Sequence, residues 1–228
     1  MKKLNMVFIT GAGISRSSGL PLYTSGKEAS AQTTIAGLGS DDCPITVFEC
    51  LNARLLQVQQ AKPSDAHYLI AELQNYYNVQ VITQNIDDLH ERAGVQSVIH
   101  VHGRVGKYRT AAHCCHIGGN EVVMTAGKKC EHGSHWRHDV VLYGEPLHFF
   151  EEARRALSLA DILIVVGCSM LTNTGRNLVK LVGEYCPVYF INPYPHIVPD
   201  GVNVIQQPAY SGIWTALNDI CSAEKVVL

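Results

Sequence analysis

Ile162-Leu163-Ile164-Val165-Val166 carries no polar residue at any position. Successive side chains of a strand point to opposite faces, so a run apolar at every position has to be buried on both. A parallel sheet covered by helices on each side meets that demand. Met6 to Ile9, Val79 to Ile82, Val98 to Val101, Val188 to Ile191 and Val202 to Ile205 read as shorter strands of the same kind. Amphipathic stretches fall between them. Ser64 is placed to cap a helix whose Ala66, Leu69, Ile70 and Leu73 form one apolar face. Phe149 to Leu159 and Asn173 to Glu184 also read as helices. The alternation predicts an α/β fold, a doubly wound Rossmann-like parallel sheet. Residues 104–137 break the pattern, being rich in Gly, His, Cys and Lys. They are expected to form a small inserted lobe in a main domain made of residues 1–103 and 138–228.

Composition narrows the function classes. The chain has 228 residues, 46% hydrophobic and 17% charged, so it can bury a substantial core. Its net charge is −2 and no Lys/Arg block stands out, which speaks against a nucleic-acid partner. No apolar run approaches the roughly 20 residues of a membrane helix. The opening Met1-Lys2-Lys3-Leu4-Asn5-Met6 leads into a short apolar stretch and then glycines, which reads as a first buried strand rather than a signal peptide. A cytoplasmic protein is expected, and its eight cysteines then point to thiols or a metal site rather than a disulfide framework.

Gly11-Ala12-Gly13-Ile14-Ser15 stands where the first strand should hand over to a helix. Glycines there let backbone approach a phosphate, and amide groups at a helix start favour an anion. Taken alone, the pair is equally a plain tight turn. The dinucleotide fingerprint wants a third glycine at position 16, where the chain has Arg16, and an acidic ribose ligand about 20 residues on is not evident. An ordinary dehydrogenase therefore fits poorly.

Four segments together say more. Gly11-Ala12-Gly13-Ile14-Ser15 with Ser18-Gly19-Leu20-Pro21, Thr83-Gln84-Asn85-Ile86-Asp87, His100-Val101-His102-Gly103, and Asp139-Val140-Val141-Leu142-Tyr143-Gly144-Glu145 follow one another in an order and spacing that resembles the sirtuin family. Gly167-Cys168-Ser169 is similar to that family's Gly-Thr-Ser turn, and Asn192 to its adenosine-side Asn. The resemblance runs from about residue 6 to 215. It implies an NAD-dependent protein-lysine deacylase that moves the acyl group of an acylated-lysine protein or peptide to ADP-ribose and releases nicotinamide.

Residue by residue, the resemblance implies His102 as general base, helped by Asn85 and Asp87. It implies NAD contacts from Gly11, Ala12, Gly13, Ile14, Ser15, Tyr23, Gln84, Asn85, Ile86, Asp87, Gly167, Cys168, Ser169 and Asn192. Val141, Leu142, Tyr143 and Gly144 would offer the edge on which a substrate peptide adds as a strand. The residue types suit those roles. A histidine titrates near neutrality, Asn85 can orient a ribose hydroxyl or a water, and Asp87 can accept from a carboxamide. Each also has a plainer reading. Asp87 or Asp88 can cap the following helix, with Asp87 the better ligand and Asp88 the better cap. Ser15 can be a cap, Cys168 a small packing residue, Asn192 a strand end, and Val140 to Gly144 a core strand.

Three positions depart from the family. Thr24 stands where an Arg is expected after the aromatic Tyr23, with Arg16 a possible substitute. His138 stands before Asp139 where the family has Pro. In place of two Cys-x-x-Cys pairs the chain offers His113-Cys114-Cys115-His116 and Cys130-Glu131-His132. A zinc held by Cys114, Cys115, Cys130 and His132 is the expectation, and a lobe that has lost its metal is the alternative. Thr24 also keeps open an ADP-ribosyltransferase or NAD hydrolase on the same scaffold. A non-catalytic NAD-binding module is a further alternative.

Overall fold

The computed structural model describes residues 3–22, 45–110, 112, 115–117, 123–142, 144–170 and 173–224. Along these the strands are β1 (Asn5–Thr10), β2 (Asn78–Thr83), β3 (Val98–His100), β4 (Gly103–Thr110), β5 (His116–Ile117), β6 (Trp136–Val140), β7 (Ile162–Val166), β8 (Val188–Ile191) and β9 (Asn203–Ile205). The helices are α1 (Ile45–Gln60), α2 (Asp65–Glu72), α3 (Leu89–Arg92), α4 (Phe150–Ser158), α5 (Asn173–Val179) and α6 (Ala209–Glu224). All six apolar runs become neighbours in one sheet of order β3-β2-β1-β7-β8-β9, with every pairing parallel. Chain order reverses direction between β1 and β7, which makes their C-terminal ends the crevice of a doubly wound sheet.

Alternation along the central strands explains why the runs are apolar throughout. Met6 and Phe8 of β1, with Ile162, Ile164 and Val166 of β7, pack on one face. Ala66, Leu69 and Ile70 of α2 and Ile213, Ala216, Leu217 and Ile220 of α6 cover them. Val7, Ile9, Leu163 and Val165 point to the other face, against Ala153 and Leu157 of α4 and Leu178 of α5. Burying each such Val, Ile or Leu is worth about 1.5–3 kcal/mol. A one-residue slip would not expose this strand pair, and the parallel register is held by its neighbours on both sides.

Ser64 is the N-cap of α2, extended at φ −81° and ψ 166°. α5 is shorter than expected. Leu181 and Val182 bond three residues back, to Leu178 and Val179, and the chain turns before Gly183. The second sheet is antiparallel, order β5-β4-β6, with an irregularity in β4 between Arg104 and Tyr108. It meets the main domain through α1. Leu55 and Val58 pack with Val105, Val140, Ile86 and Leu89, and Phe48 packs with Tyr108 and Met124. Among the described residues no helix is long and apolar enough to cross a membrane.

Candidate active site

The turn after β1 lies on the turn after β7. The Gly11 amide donates to the Val166 carbonyl at 3.1 Å, and the Gly13 amide to the Gly167 carbonyl at 2.9 Å. A Cβ on Gly13 would come within 2.7 Å of the Gly167 Cα, and one on Gly167 within 2.4 Å of the Ile14 nitrogen. These glycines let two backbone segments touch, at φ +68° for Gly167. The expected helix start is absent, because residues 16–18 form only a short 3₁₀ turn, Arg16–Ser18. Ile14 turns its side chain into the core. Ala12 and Ser15 face a narrow cleft, lined also by Leu20, Pro21, Arg54, Val58, Asn85 and Asp87.

The segment after β2 supplies the other wall. Asn85 is buried. Its Nδ2 donates to the Gly11 carbonyl at 3.2 Å and to Ser15 Oγ at 3.1 Å, and its own amide donates to Thr83 Oγ1 at 3.0 Å. Its Oδ1 is buried and has no partner among the described residues. An acceptor so placed fits the hydroxyl of a ribose, and leaving it unmatched costs about 1–3 kcal/mol. Ser15 Oγ donates onward to Asp87 Oδ2 at 3.0 Å. Burial raises the Asp87 pKa, opposed by the Leu89 amide and Ser15. That Leu89 bond, 3.2 Å to Asp87 Oδ1, corrects the expectation that Asp88 is the cap. Asp87 caps α3 and still lines the cleft, whereas Asp88 makes no capping bond. Asp88 instead pairs with Arg92 at 3.6 Å and Arg104 at 3.5 Å. Arg92 is an i,i+4 neighbour on α3, whereas Arg104 comes from β4, a partner that local sequence could not reveal.

His102 follows β3, next to this wall. Its Nδ1 is 2.9 Å from the Gln84 carbonyl. A carbonyl only accepts, so Nδ1 carries the proton and Nε2 the lone pair. Burial lowers its pKa below the ordinary value, the Gln84 bond raises it in part, and His148 lowers it further. The ring is neutral near pH 7 with a basic nitrogen. Gln84 itself reaches Cys168 Sγ at 3.4 Å.

The remaining expected residues divide. Cys168 is buried in the core with its thiol pushed up to about 12 by burial, which makes it a packing group and no nucleophile. Ile86 is likewise a core side chain, and its carbonyl accepts the Val105 amide at 3.0 Å. Asn192 spends its side chain on the backbone, with Nδ2 to the Cys168 carbonyl at 2.8 Å and Oδ1 from the Tyr194 amide at 2.9 Å. It thereby ties the β8 end to the half-buried Gly167–Ser169 turn. Tyr23, Thr24, Tyr143 and Cys114 lie outside the described residues.

β6 ends at Val140, short of the expected strand. The Val141 amide donates to the His102 carbonyl at 2.9 Å and the Leu142 amide to Glu145 Oε2 at 2.8 Å. Glu145 is held in turn by Arg137 at 2.7 Å and Arg109 at 3.3 Å. This segment, with Gly144 at φ +89°, is a clamped turn beside His102. In the segments joining the strands of the small sheet, Cys115, Cys130 and His132 bring their ligand atoms within 4.8 Å of one another. Thiolate and imidazole donors that close suit a zinc ion.

Sequence reasoning missed Arg54, a buried guanidinium on the cleft wall whose Nη2 is 3.5 Å from the Pro21 carbonyl. Its signal was an arginine inside the apolar stripe Val47, Phe48, Leu55, Val58 of α1. Arg16, the substitute considered for the missing cation, is exposed.

The Sir2 family model matches residues 11–173. A protein of Aggregatibacter actinomycetemcomitans named NAD-dependent protein deacylase is 34% identical over 196 residues, 83% of this chain and 93% of the relative. One of the same name from Bacteroides thetaiotaomicron is 32% identical over 84% of this chain and 86% of the relative. Among solved structures, a Sir2 homolog–NAD complex superposes with a TM-score of 0.80 at 27% identity, covering 96% of this chain and 90% of the other. The chain belongs to the Sir2 family.

Proposed function

We propose that the protein is an NAD⁺-dependent protein-lysine deacylase, with the acyl group passing to ADP-ribose and nicotinamide leaving. The observation that carries the reading is the cleft wall. An unmatched buried acceptor, Asn85 Oδ1, stands in the segment after β2, next to the β3 end that carries a histidine whose lone pair is set on Nε2 by the Gln84 carbonyl. NAD⁺ bound there supplies a ribose carbon that loses nicotinamide and takes the acyl oxygen of an acyl-lysine. Asn85 holds a ribose hydroxyl on Oδ1 while its Nδ2 stays on Ser15 and Gly11. His102 takes a hydroxyl proton on Nε2 and returns it, a role worth about 10²–10⁴ in rate. Asp87, kept in place by Ser15 and Leu89, receives the carboxamide. The turn of Gly11, Ala12, Gly13 and Ser15, with Ala12 and Ser15 on the cleft, packs against the dinucleotide, with Gly167, Cys168, Ser169 and Asn192 on the adenosine side. Arg54 supplies positive charge to the cleft in place of the arginine missing at Thr24.

The acylated peptide lies along Val141, Leu142, Tyr143 and Gly144. Because the Val141 and Leu142 amides are already engaged, its backbone pairs chiefly with carbonyls of this segment. In this reading residues 1–103 and 138–228 are the Rossmann-like NAD-binding domain and 104–137 the small lobe, with zinc held by Cys115, Cys130 and His132 and completed by Cys114. The setting is cytosolic, which agrees with unbridged Cys50, Cys168, Cys186 and Cys221.

The test is nicotinamide release with and without an acetyl-lysine peptide, products identified by mass spectrometry. Release that depends on peptide, with O-acyl-ADP-ribose formed, is expected. Equal release in both, with free ADP-ribose as the sugar product, would replace the reading with an NAD hydrolase. ADP-ribose attached to protein would replace it with a transferase.

A further inference from the structure

The stretch His100-Val101-His102 brings two histidines to the end of β3, and the site described above uses only the second. His100 is buried and stands in register with Thr83, beside the turn that follows β2. Its Nδ1 is 3.3 Å from the Asn85 carbonyl, while His102 Nδ1 is 2.9 Å from the Gln84 carbonyl. Two rings thus reach back to successive peptide groups of one turn. A carbonyl oxygen only accepts, so His100 Nδ1 carries a proton and donates it.

The other nitrogen is held as firmly. His100 Nε2 is 2.9 Å from Glu91 Oε1 of α3, and Arg104 Nη1 of β4 donates to the same oxygen at 2.9 Å. Asp88 holds Arg104 in turn, at 3.5 Å. Burial pushes the Glu91 carboxyl up, but the bonds and charges of His100 and Arg104 outweigh it and hold the group below the usual carboxylate range. Glu91 is therefore an acceptor as well, and His100 donates from both nitrogens. Turning the ring over would set carbon atoms at both places, so the ring has one orientation.

We propose that His100 is a positioning residue that fixes the Asn85 peptide group, with Glu91 and Arg104 holding its ring. The Asn85 amide is on Thr83 Oγ1, and its Nδ2 is on Gly11 and Ser15. The His100 bond holds the carbonyl, the one backbone group those contacts leave over. With three of its polar groups tied to three different elements, Asn85 presents the unmatched Oδ1 in one direction. A misplacement of about 1 Å at such a group can cost about 10²-fold in rate. Because Arg104 opens β4, the same contact ties the cleft wall to the second sheet. Its consequence for turnover rests on the role proposed above for Asn85.

Asparagine and glutamine separate the two ends of the ring. His100→Asn puts an amide nitrogen where Nδ1 stands, and His100→Gln puts one where Nε2 stands. Three measurements on the whole protein use this. In ¹⁵N spectra of histidine-labelled wild type, His100 should show a protonated Nδ1, and a bare Nδ1 would overturn the proposal. The Ile86 amide nitrogen shares a peptide group with the Asn85 carbonyl. Its resonance, read without NAD⁺, should shift in His100→Gln and stay near wild type in His100→Asn. A resonance unmoved in both would overturn the proposal without reference to activity. In steady-state kinetics His100→Gln should lower kcat by about 10²-fold with peptide KM little changed, and His100→Asn should recover most of that loss. Equal losses in the two would make His100 a packing residue and refute positioning through Nδ1. If wild type shows no NAD⁺ turnover while the Nδ1 proton and the Ile86 response are as expected, the deacylase reading fails and the His100 contact stands.

Discussion

Substituting Gly167 by alanine probes the joint on which the cleft depends. The new Cβ would stand 2.4 Å from the Ile14 nitrogen and 2.8 Å from the Gly13 carbonyl carbon, both backbone atoms that no rotamer change can move. Gly167 is also at φ +68°, where an L side chain costs about 1–2 kcal/mol. Overpacking adds typically 1–3 kcal/mol, so Gly167→Ala should destabilise by about 2–5 kcal/mol. Gly201 separates the two contributions. It has φ +73° and open space around its would-be Cβ, so Gly201→Ala should cost only the conformational 1–2 kcal/mol. Urea unfolding followed by circular dichroism gives both values, and isothermal titration gives NAD⁺ affinity. Gly167→Ala should weaken NAD⁺ binding because the turns must part, and Gly201→Ala should leave it unchanged. Equal destabilisation in the two, with NAD⁺ affinity retained, would show that the contact between the turns is soft and that the argument from close approach is wrong.

His102→Ala should lower turnover by about 10²–10⁴ with NAD⁺ affinity retained, and the wild-type acid limb should lie below the ordinary histidine value, since burial lowers the His102 pKa. Wild-type turnover in the variant would remove it as the base. Asp87→Ala should reduce the NAD⁺-dependent rate more than Asp88→Ala, because only Asp87 lines the cleft. Equal rate losses would mean the turn has been misread. Burial lowers His138 to about 4, so the unfolded chain protonates first as pH falls. The stability His138 contributes is whole above the ordinary 6.5 and is lost progressively toward 4. Between pH 7 and 4.5 His138→Gln should lose less stability than wild type by roughly 2–3 kcal/mol, read from urea midpoints. Metal analysis should find one zinc per chain, removed in Cys130→Ser; a stoichiometry near zero after gentle purification would leave the lobe metal-free.

His138 also shows what a departure from the family does. Its Nδ1 accepts the Gly106 amide at 3.2 Å inside the β4 irregularity, and its Nε2 bonds Asn52 Oδ1 at 3.1 Å. The ring lies between Phe48 and Tyr108. A side chain in place of proline thus joins α1 to the second sheet, a role no reading of the local residues revealed, since its partners are distant in the chain.

What the sequence by itself determined was whatever depends on neighbours along the chain. Unbroken apolar runs mean strands buried on two faces, and β7 is the clearest instance. The Ala66, Leu69, Ile70 periodicity after Ser64 means a capped amphipathic helix, and α2 starts there. The order of short motifs was enough to recognise the family. Tertiary structure alone decided which groups are matched and which are left over. Gly11 and Gly13 needed Gly167 of another strand to explain them. Asp87 took the capping bond expected of Asp88 while keeping its place on the cleft, and Asp88 pairs instead with Arg104 of β4. Arg54 entered the cleft from a helix whose place was not foreseen, and Asn85 Oδ1 is orphaned only because Ser15 and Gly11 hold its other end. Periodicity records burial, which is averaged over a face. Hydrogen-bond matching is a property of single atoms meeting across the fold, and only the folded chain specifies it.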